Sequence, residues 1–329
     1  MGEFDLIRRH FQRAAGGPSV VLGIGDDCAL LLPRPGHQLA VSSDMLVEGR
    51  HFFADVDPQA LGHKALAVNL SDLAAMGARP LGFTLALALP QADDRWLQAF
   101  SDGLLALADA HACPLVGGDT TRGPLNICIT VFGEVAPGRA LRRDAARAGD
   151  DLWLSGRTGE ARLALERLRG TGWALAIPGD EALCRQRLER PTPRVALGQA
   201  LAGLVGLEGR APAAIDLSDG LAGDLGHILT ASGVGAEIDL SDLPVAPALR
   251  PLADAERLEC LLRGGDDYEL QFTAPASTRD AIAQAAVACH TPVHRIGHIT
   301  TAAGLRLRWP DGRTQALDAR SYDHFAPVS

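Results

Sequence analysis

Asn69-Leu70-Ser71-Asp72-Leu73-Ala74-Ala75-Met76-Gly77 is the stretch on which the fold turns. It closes a helical pattern over residues 58–76 in which Leu66, Ala67, Val68, Leu70, Leu73, Ala74 and Ala75 leave almost no polar face. A helix apolar on nearly every side is an interior element, packed between other layers. Asp72 in that setting is costly unless it has a partner. Two partners are open on the residues alone, a metal ion or Lys64, the single lysine of the chain. Outward from this helix, strand-like runs at 19–24, 38–42, 82–89, 114–116 and 125–135 alternate with it and with a second helical pattern at 94–112. A turn-rich, Arg-rich stretch at 137–149 marks a boundary. Beyond it, strands at 151–155, 213–216, 236–240, 268–273, 292–299 and 305–309 alternate with helices at 160–169, 196–204, 221–232 and 278–289, with short helices reaching residue 262. Residues 170–195 read as a loop. Such alternation in both halves predicts an α/β (α+β) protein of two domains, 1–138 and 149–329.

Composition narrows the function classes. The chain has 329 residues, 47% hydrophobic and 22% charged, with a net charge of −9, as expected of a globular protein with its own core. An acidic chain with no Lys/Arg run argues against general nucleic-acid or anionic-membrane binding. It leaves anionic substrates open, because metal ions bridge carboxylates to phosphates. None of the six cysteines forms a C-x-x-C pair, so free thiols in a reducing cytoplasm are expected, not a zinc or redox centre. Neither a signal-peptide core nor an apolar run of membrane-spanning length is present.

The chemistry lies in six short acidic motifs, read as strand ends or helix starts except for the one inside the 58–76 helix. They are Gly25-Asp26-Asp27, Ser42-Ser43-Asp44, Asn69-Leu70-Ser71-Asp72, Gly117-Gly118-Asp119-Thr120, Asp216-Leu217-Ser218-Asp219-Gly220 and Gly264-Gly265-Asp266-Asp267-Tyr268-Glu269. Singly, each has an ordinary reading. Asp219 could cap the following helix, and Asp26 or Asp27 could belong to a turn. Together they offer hard oxygen ligands without His or Cys at ligand spacing, the donor set of Mg²⁺. Several Asp groups around Mg²⁺ point to phosphoryl transfer, in which positioning and charge neutralisation supply most of the catalysis. No P-loop, protein-kinase, complete Rossmann, EF-hand or G-x-S-x-G signature occurs.

In this order, and with Gly2-Glu3-Phe4-Asp5-Leu6-Ile7, Ser43-Asp44-Met45-Leu46-Val47-Glu48-Gly49-Arg50-His51-Phe52 and Tyr322-Asp323-His324-Phe325, the motifs resemble the thiamine-monophosphate kinases of the PurM-like (aminoimidazole ribonucleotide synthetase-like) superfamily. The resemblance spans almost the whole chain. It implies a PurM-like two-domain fold: an N-terminal α/β domain (1–138) that binds ATP and Mg²⁺ and dimerises through its sheet, and a C-terminal α/β domain (149–329). It implies a cytoplasmic homodimer that transfers the ATP γ-phosphate directly, in line, to thiamine monophosphate, in a cleft between the domains. It also implies site residues. Asp27, Ser42, Ser43, Asp44, Asp72, Asp119, Asp216 and Asp219 would hold several Mg²⁺ ions, with Asp27, Asp44, Asp72, Asp119 and Asp219 catalytic through metal. Gly118, Asp119, Arg143 and Ser218 would contact ATP, and His51, Asp267 and Tyr322 would contact thiamine monophosphate. Arg142 and Arg147 lie beside Arg143, and no role is assigned to the Ser155–Gly159 turn. The alternatives are another PurM-like ATP-using synthetase, of the selenophosphate or aminoimidazole ribonucleotide type, or a non-catalytic nucleotide-binding regulator.

Overall fold

The computed structural model describes residues 3–13, 17–204 and 209–319. The chain divides into two compact units, Met1–Ala74 with Ala78–Pro137, and Ala75–Gly77 with Gly138–Ser329.

The first unit runs α1 (Glu3–His10), β1 (Val20–Leu22), β2 (Leu30–Leu31), β3 (Gln38–Val47), α2 (Pro58–Ala75), β4 (Arg79–Leu89), α3 (Asp94–Ala110), β5 (Leu115–Arg122) and β6 (Asn126–Val135). β1 and β2 form a small antiparallel ribbon, and the other four strands form a sheet in the order β3-β6-β4-β5. β3 pairs antiparallel with β6 over its full length, from Gln38 opposite Val135 to Val47 opposite Asn126. β6 pairs antiparallel with β4, and β4 parallel with β5. α2 supplies the interior that its sequence requires, since Leu66, Ala67, Leu70 and Ala74 have no exposed surface at all. Each such leucine contributes roughly 1.5–3 kcal/mol by leaving water, so α2 is held by burial rather than by helix propensity. Asp93 caps α3 by accepting the backbone N–H groups of Arg95 and Trp96.

The second unit opens with a 3₁₀ turn at Arg143–Ala145. It continues with β7 (Asp151–Ser155), α4 (Glu160–Leu168), α5 (Gly172–Leu175), α6 (Glu181–Glu189), α7 (Val195–Gly203), β8 (Ala213–Asp216), α8 (Leu221–Ser232) and β9 (Gly235–Asp239). Then follow α9 (Asp254–Arg263), β10 (Leu270–Ala274), α10 (Arg279–Ala288), β11 (Val293–Thr300), β12 (Gly304–Arg308) and β13 (Thr314–Leu317). Its seven strands lie in the order β13-β12-β9-β11-β7-β10-β8. Every pairing is antiparallel except β9 with β12. Leu152, Leu154, Ile215, Leu225 and Ile228 share one buried core on this sheet.

Several elements differ from the sequence reading. Ser42-Ser43-Asp44 does not follow a strand but lies within β3. Serine and aspartate are weak strand formers, yet ten residues of pairing with β6 override that preference. Gly117–Thr120 likewise lies inside β5, held by its parallel ladder with β4. α1 was not expected, and the supposed loop at 170–195 contains α5 and α6.

Candidate active site

In the first unit the predicted residues form two groups. The first joins β3 to α2. Ser42 and Asp44 lie on the same side of β3, since side chains alternate along a strand. The Ser42 hydroxyl donates to Asp72 Oδ2 at 2.5 Å, and the Asp44 backbone N–H donates to Asn69 Oδ1 at 3.1 Å. The Asn69 amide group in turn donates to the Ala65 carbonyl at 3.0 Å. Asp72 is thus half-buried rather than enclosed, and Ser42 is a partner that the sequence did not suggest. Burial, and secondarily the Asp72 carboxylate beside it, push the Asp44 carboxyl up to about 6. The nearness of the Asp72 carboxylate thus adds to the cost of ionising Asp44.

Ser43 does not join this group. It points to the other face of β3, where its hydroxyl meets the Ile129 carbonyl at 3.2 Å and Thr130 Oγ1 at 2.9 Å on β6.

The second group lines a cavity of about 510 Å³. Ile7, Leu39 and Phe132 form apolar parts of its wall, while Asp27, Gly118 and Asp119 form polar parts. Ser42, Asp44 and Asp72 do not line it. Gly118 is required by the backbone. Its φ is +144°, and a Cβ there would lie 1.9 Å from the Leu85 carbonyl oxygen. The Asp27 backbone N–H donates to Asp26 Oδ1 at 2.8 Å, so the Asp26 carboxylate is turned onto the local main chain.

His51 lies half-buried after β3. Its Nδ1 accepts the Val47 backbone N–H at 3.0 Å. A backbone N–H can only donate, so Nδ1 carries no proton, and the neutral ring carries its proton on Nε2.

In the second unit two motifs are brought together. The Asp266 N–H donates to the Ser218 carbonyl at 2.9 Å and the Tyr268 N–H to the Leu217 carbonyl at 2.8 Å, so residues 264–269 lie along the loop after β8. Asp216 is buried at the end of β8, Ser218 is exposed and Asp219 half-buried. Asp219 does not cap α8. Gly220 occupies the cap position with no side-chain cap bond, and Asp224, one turn in, accepts the N–H groups of Asp219 and Gly220 at 3.0 and 3.2 Å. Burial, reinforced by Asp216 and Asp219, pushes Asp224 up to about 8. Its sequence signal was an Asp in the first turn of a predicted helix, directly after an acidic loop.

Asp267 is 2% exposed, and both its oxygens accept the Gly159 N–H, at 3.0 and 3.2 Å. Burial raises its carboxyl well above the usual range. The flanking Asp266 and Tyr268 have φ of +65° and +49°, an arrangement that persists only where the surroundings enforce it. Glu269 is fully buried and accepts from Ser155, Arg187 and Arg194 at 2.5–2.7 Å. Gly156 (φ +54°) leaves room for it, since a Cβ would lie 2.1 Å from Glu269 Oε1. The Ser155–Gly159 turn, left without a role by the sequence, is therefore the anchor of the acidic segment 264–269.

Arg142 is engaged by Asp144 at 2.6 and 2.8 Å, and the Arg147 N–H donates to Asp150. The Arg143 side chain is exposed, and its carbonyl accepts from Ser232. Tyr322 lies outside the described residues. Among the described residues, no three His, Cys, Asp or Glu side chains converge closely enough to hold a metal ion by themselves. That does not set the residues against Mg²⁺, which takes one or two carboxylates and completes its shell with phosphate oxygens and water.

Comparison with known proteins agrees with this architecture. The AIR synthase related protein N-terminal domain matches residues 25–135, and the corresponding C-terminal domain matches residues 147–310. The thiamine-monophosphate kinase of Salmonella typhimurium is 46% identical over 328 residues, covering 99% of this chain and 98% of that protein. The crystal structure of thiamine-monophosphate kinase from Stenotrophomonas maltophilia K279a superposes with a TM-score of 0.81 at 49% identity, covering 90% of this chain and 92% of that one. AaThiL complexed with AMPPCP and TMP superposes with a TM-score of 0.73 at 28% identity, covering 89% of each chain. The two domain matches and the two-unit α/β fold make this an AIR synthase related protein, of PurM-like fold. Within that class, the chain belongs to the thiamine-monophosphate kinase family.

Proposed function

We propose that this chain transfers the γ-phosphate of ATP to thiamine monophosphate, giving thiamine diphosphate and ADP, by direct in-line transfer. The observation that carries the reading is near-complete coverage at 46% identity to a thiamine-monophosphate kinase, with every acidic motif in place. The fold neighbour complexed with AMPPCP and TMP supports the same pair of ligands. A PurM-like synthetase or a silent regulator is not favoured.

The acceptor is itself a phosphate, already anionic near neutral pH, so no residue has to remove a proton. The site agrees with that. His51 has its Nδ1 committed to Val47, leaving it a hydrogen-bond donor through Nε2. The obstacle is repulsion between two polyanions. Ser42, Asp44 and Asp72 fit Mg²⁺ as hard oxygen donors, and a divalent cation would offset both the burial and, secondarily, the Asp72 charge that raise Asp44. Mg²⁺, when bound, would supply charge neutralisation between donor and acceptor phosphates. Asp27 and Asp119 face the cavity that would receive the nucleotide, with Gly118 allowing close backbone approach. In the second unit Asp216 and Asp219 are the remaining metal candidates, and Ser218 and the exposed Arg143 the ATP contacts. His51 and Tyr322 are the candidates for thiamine monophosphate. Contact by Asp267, which is 2% exposed, would require the segment that buries it to open.

The rest of the reading is a cytoplasmic homodimer, with residues 1–138 as the ATP-binding and dimerising domain and 149–329 as the C-terminal domain. No described helix is long and apolar enough to cross a membrane. Val41 and Met45, more than half exposed on one face of β3, form an apolar patch suited to a second copy.

The test follows ³²P from γ-labelled ATP in the presence of MgCl₂, offering thiamine monophosphate, thiamine and no acceptor in parallel. Label should reach thiamine diphosphate only with the monophosphate, and no labelled protein should accumulate. Label released as free phosphate regardless of acceptor would overturn the reading.

A further inference from the structure

We infer that Asn69 is the positioning residue for Asp44: it fixes the main chain of β3 so that the Asp44 carboxylate stands beside Asp72, ready for a divalent cation. This rests on the reading of Asp44 as a ligand of Mg²⁺.

β3 is the terminal strand of its sheet, so alternate backbone N–H groups along it face no neighbouring strand. The Asp44 N–H is satisfied by a side chain instead, Asn69 Oδ1 at 3.1 Å. Asn69 is 1% exposed in the middle of α2, and its other end donates to the Ala65 carbonyl one turn back at 3.0 Å. The two bonds fix the amide orientation without ambiguity. The Asp44 N–H can meet only the oxygen, and the Ala65 carbonyl can meet only the NH₂ group. Asparagine suits the place chemically. It supplies one acceptor and one donor, and it brings no charge next to Asp44 and Asp72, whose carboxylates already oppose each other. Aspartate would keep the acceptor but face the Ala65 carbonyl with an oxygen and add a third negative charge. Leucine would fill the space and leave the Asp44 N–H without a partner.

The Ser42–Asp72 bond lies two residues away along β3 and three along α2. Together the two links set the register of β3 against α2 where both carboxylates emerge. Without Asn69, Asp44 would stay in the strand through β6, but its free edge could shift and its carboxylate would lose a fixed direction. Residues that orient ligands in this way typically change metal affinity or activity by about 10–100-fold when removed.

The test compares full-length wild type, N69A and L66A. Leu66 is a fully buried α2 residue whose side chain makes no hydrogen bond, so L66A costs core packing while leaving the Asn69 bonds to Asp44 and Ala65 in place. Calorimetric titration with Mg²⁺ in the presence of AMPPCP gives a readout independent of turnover. N69A should raise the Mg²⁺ Kd by about tenfold or more and lower kcat by a similar factor. L66A should lower the melting temperature at least as much yet keep the wild-type Mg²⁺ Kd. If N69A does not fold, N69S carries the same comparison, since a serine can still bond its own helix carbonyl but is too short to reach β3. An N69A or N69S variant with unchanged Mg²⁺ affinity, or a shift matched by L66A, would overturn the inference. D44N, measured alongside, separates the failures. Unchanged Mg²⁺ binding in D44N would remove the reading of Asp44 itself, whereas loss in D44N with no effect at Asn69 would remove only the positioning role.

Discussion

Asp72 and Glu134 are two acids of the first unit held in opposite ways. Asp72 accepts from the Ser42 hydroxyl and adds to the cost of ionising Asp44, whereas Glu134 is fully buried between Arg34 and Arg79. For Asp72 the expectation follows from the repulsion. D72N keeps shape and can still accept from Ser42, but it loses an anionic ligand. Turnover at saturating Mg²⁺ should fall at least about 100-fold, while the metal-free protein should melt at the wild-type temperature or higher. A large loss of stability with near-normal turnover would make Asp72 structural. For Glu134, hydrogen bonds from Arg34 and Arg79 outweigh burial and bring its carboxyl down to about 2. A depressed acid contributes stability that is fully present above its ordinary value of 4.5 and is lost as pH falls through about 2. Melting curves from pH 6 to pH 2 should therefore fall more steeply for wild type than for E134Q, and parallel curves would contradict this. Asp72 was legible in the sequence because an acid among seven apolar neighbours is conspicuous. The part played by Asn69 within its motif, and Asp224 altogether, were not, because a buried amide and a helix-start Asp look ordinary until the N–H groups they accept are known.

At the scale of elements, β5 depends on one backbone conformation. Gly118 sits at φ +144° against the Leu85 carbonyl, so G118A forces β5 away from β4. The cost should be at least about 2 kcal/mol, read as a lower urea midpoint, with weaker binding of AMPPCP at the cavity it lines. A G118A protein as stable as wild type would show that the ladder with β4 is looser than drawn. Elements with a strong local pattern were readable from sequence alone. α8 begins and ends where its apolar spacing and the Gly220 and Gly233 borders put it, and α2 ends within one residue of expectation. β3 and β5 were cut short because their polar centres signal turns, and only pairing with β6 and β4 carries the strands through. α1 and α6 were missed because both are short and rich in charged residues.

For the whole molecule, the open face of the first sheet predicts association. M45E places a charge in the patch of Val41 and Met45, so light scattering should give a dimer mass for wild type and a monomer mass for M45E at micromolar concentration. A wild-type monomer would remove the dimer from the account. The alternating α/β pattern was sufficient to read the fold class, whereas the acidic motifs acquired a substrate only through resemblance and then through comparison with relatives. The central claim is that thiamine monophosphate is the acceptor of a whole phosphoryl group from ATP. Phosphorus NMR of the protein turning over ATP and thiamine monophosphate with MgCl₂ tests it most directly. The account predicts that the diphosphate signals of thiamine diphosphate grow in one-to-one step with ADP, with no build-up of free phosphate. ADP and phosphate appearing together while thiamine monophosphate stays intact would contradict it.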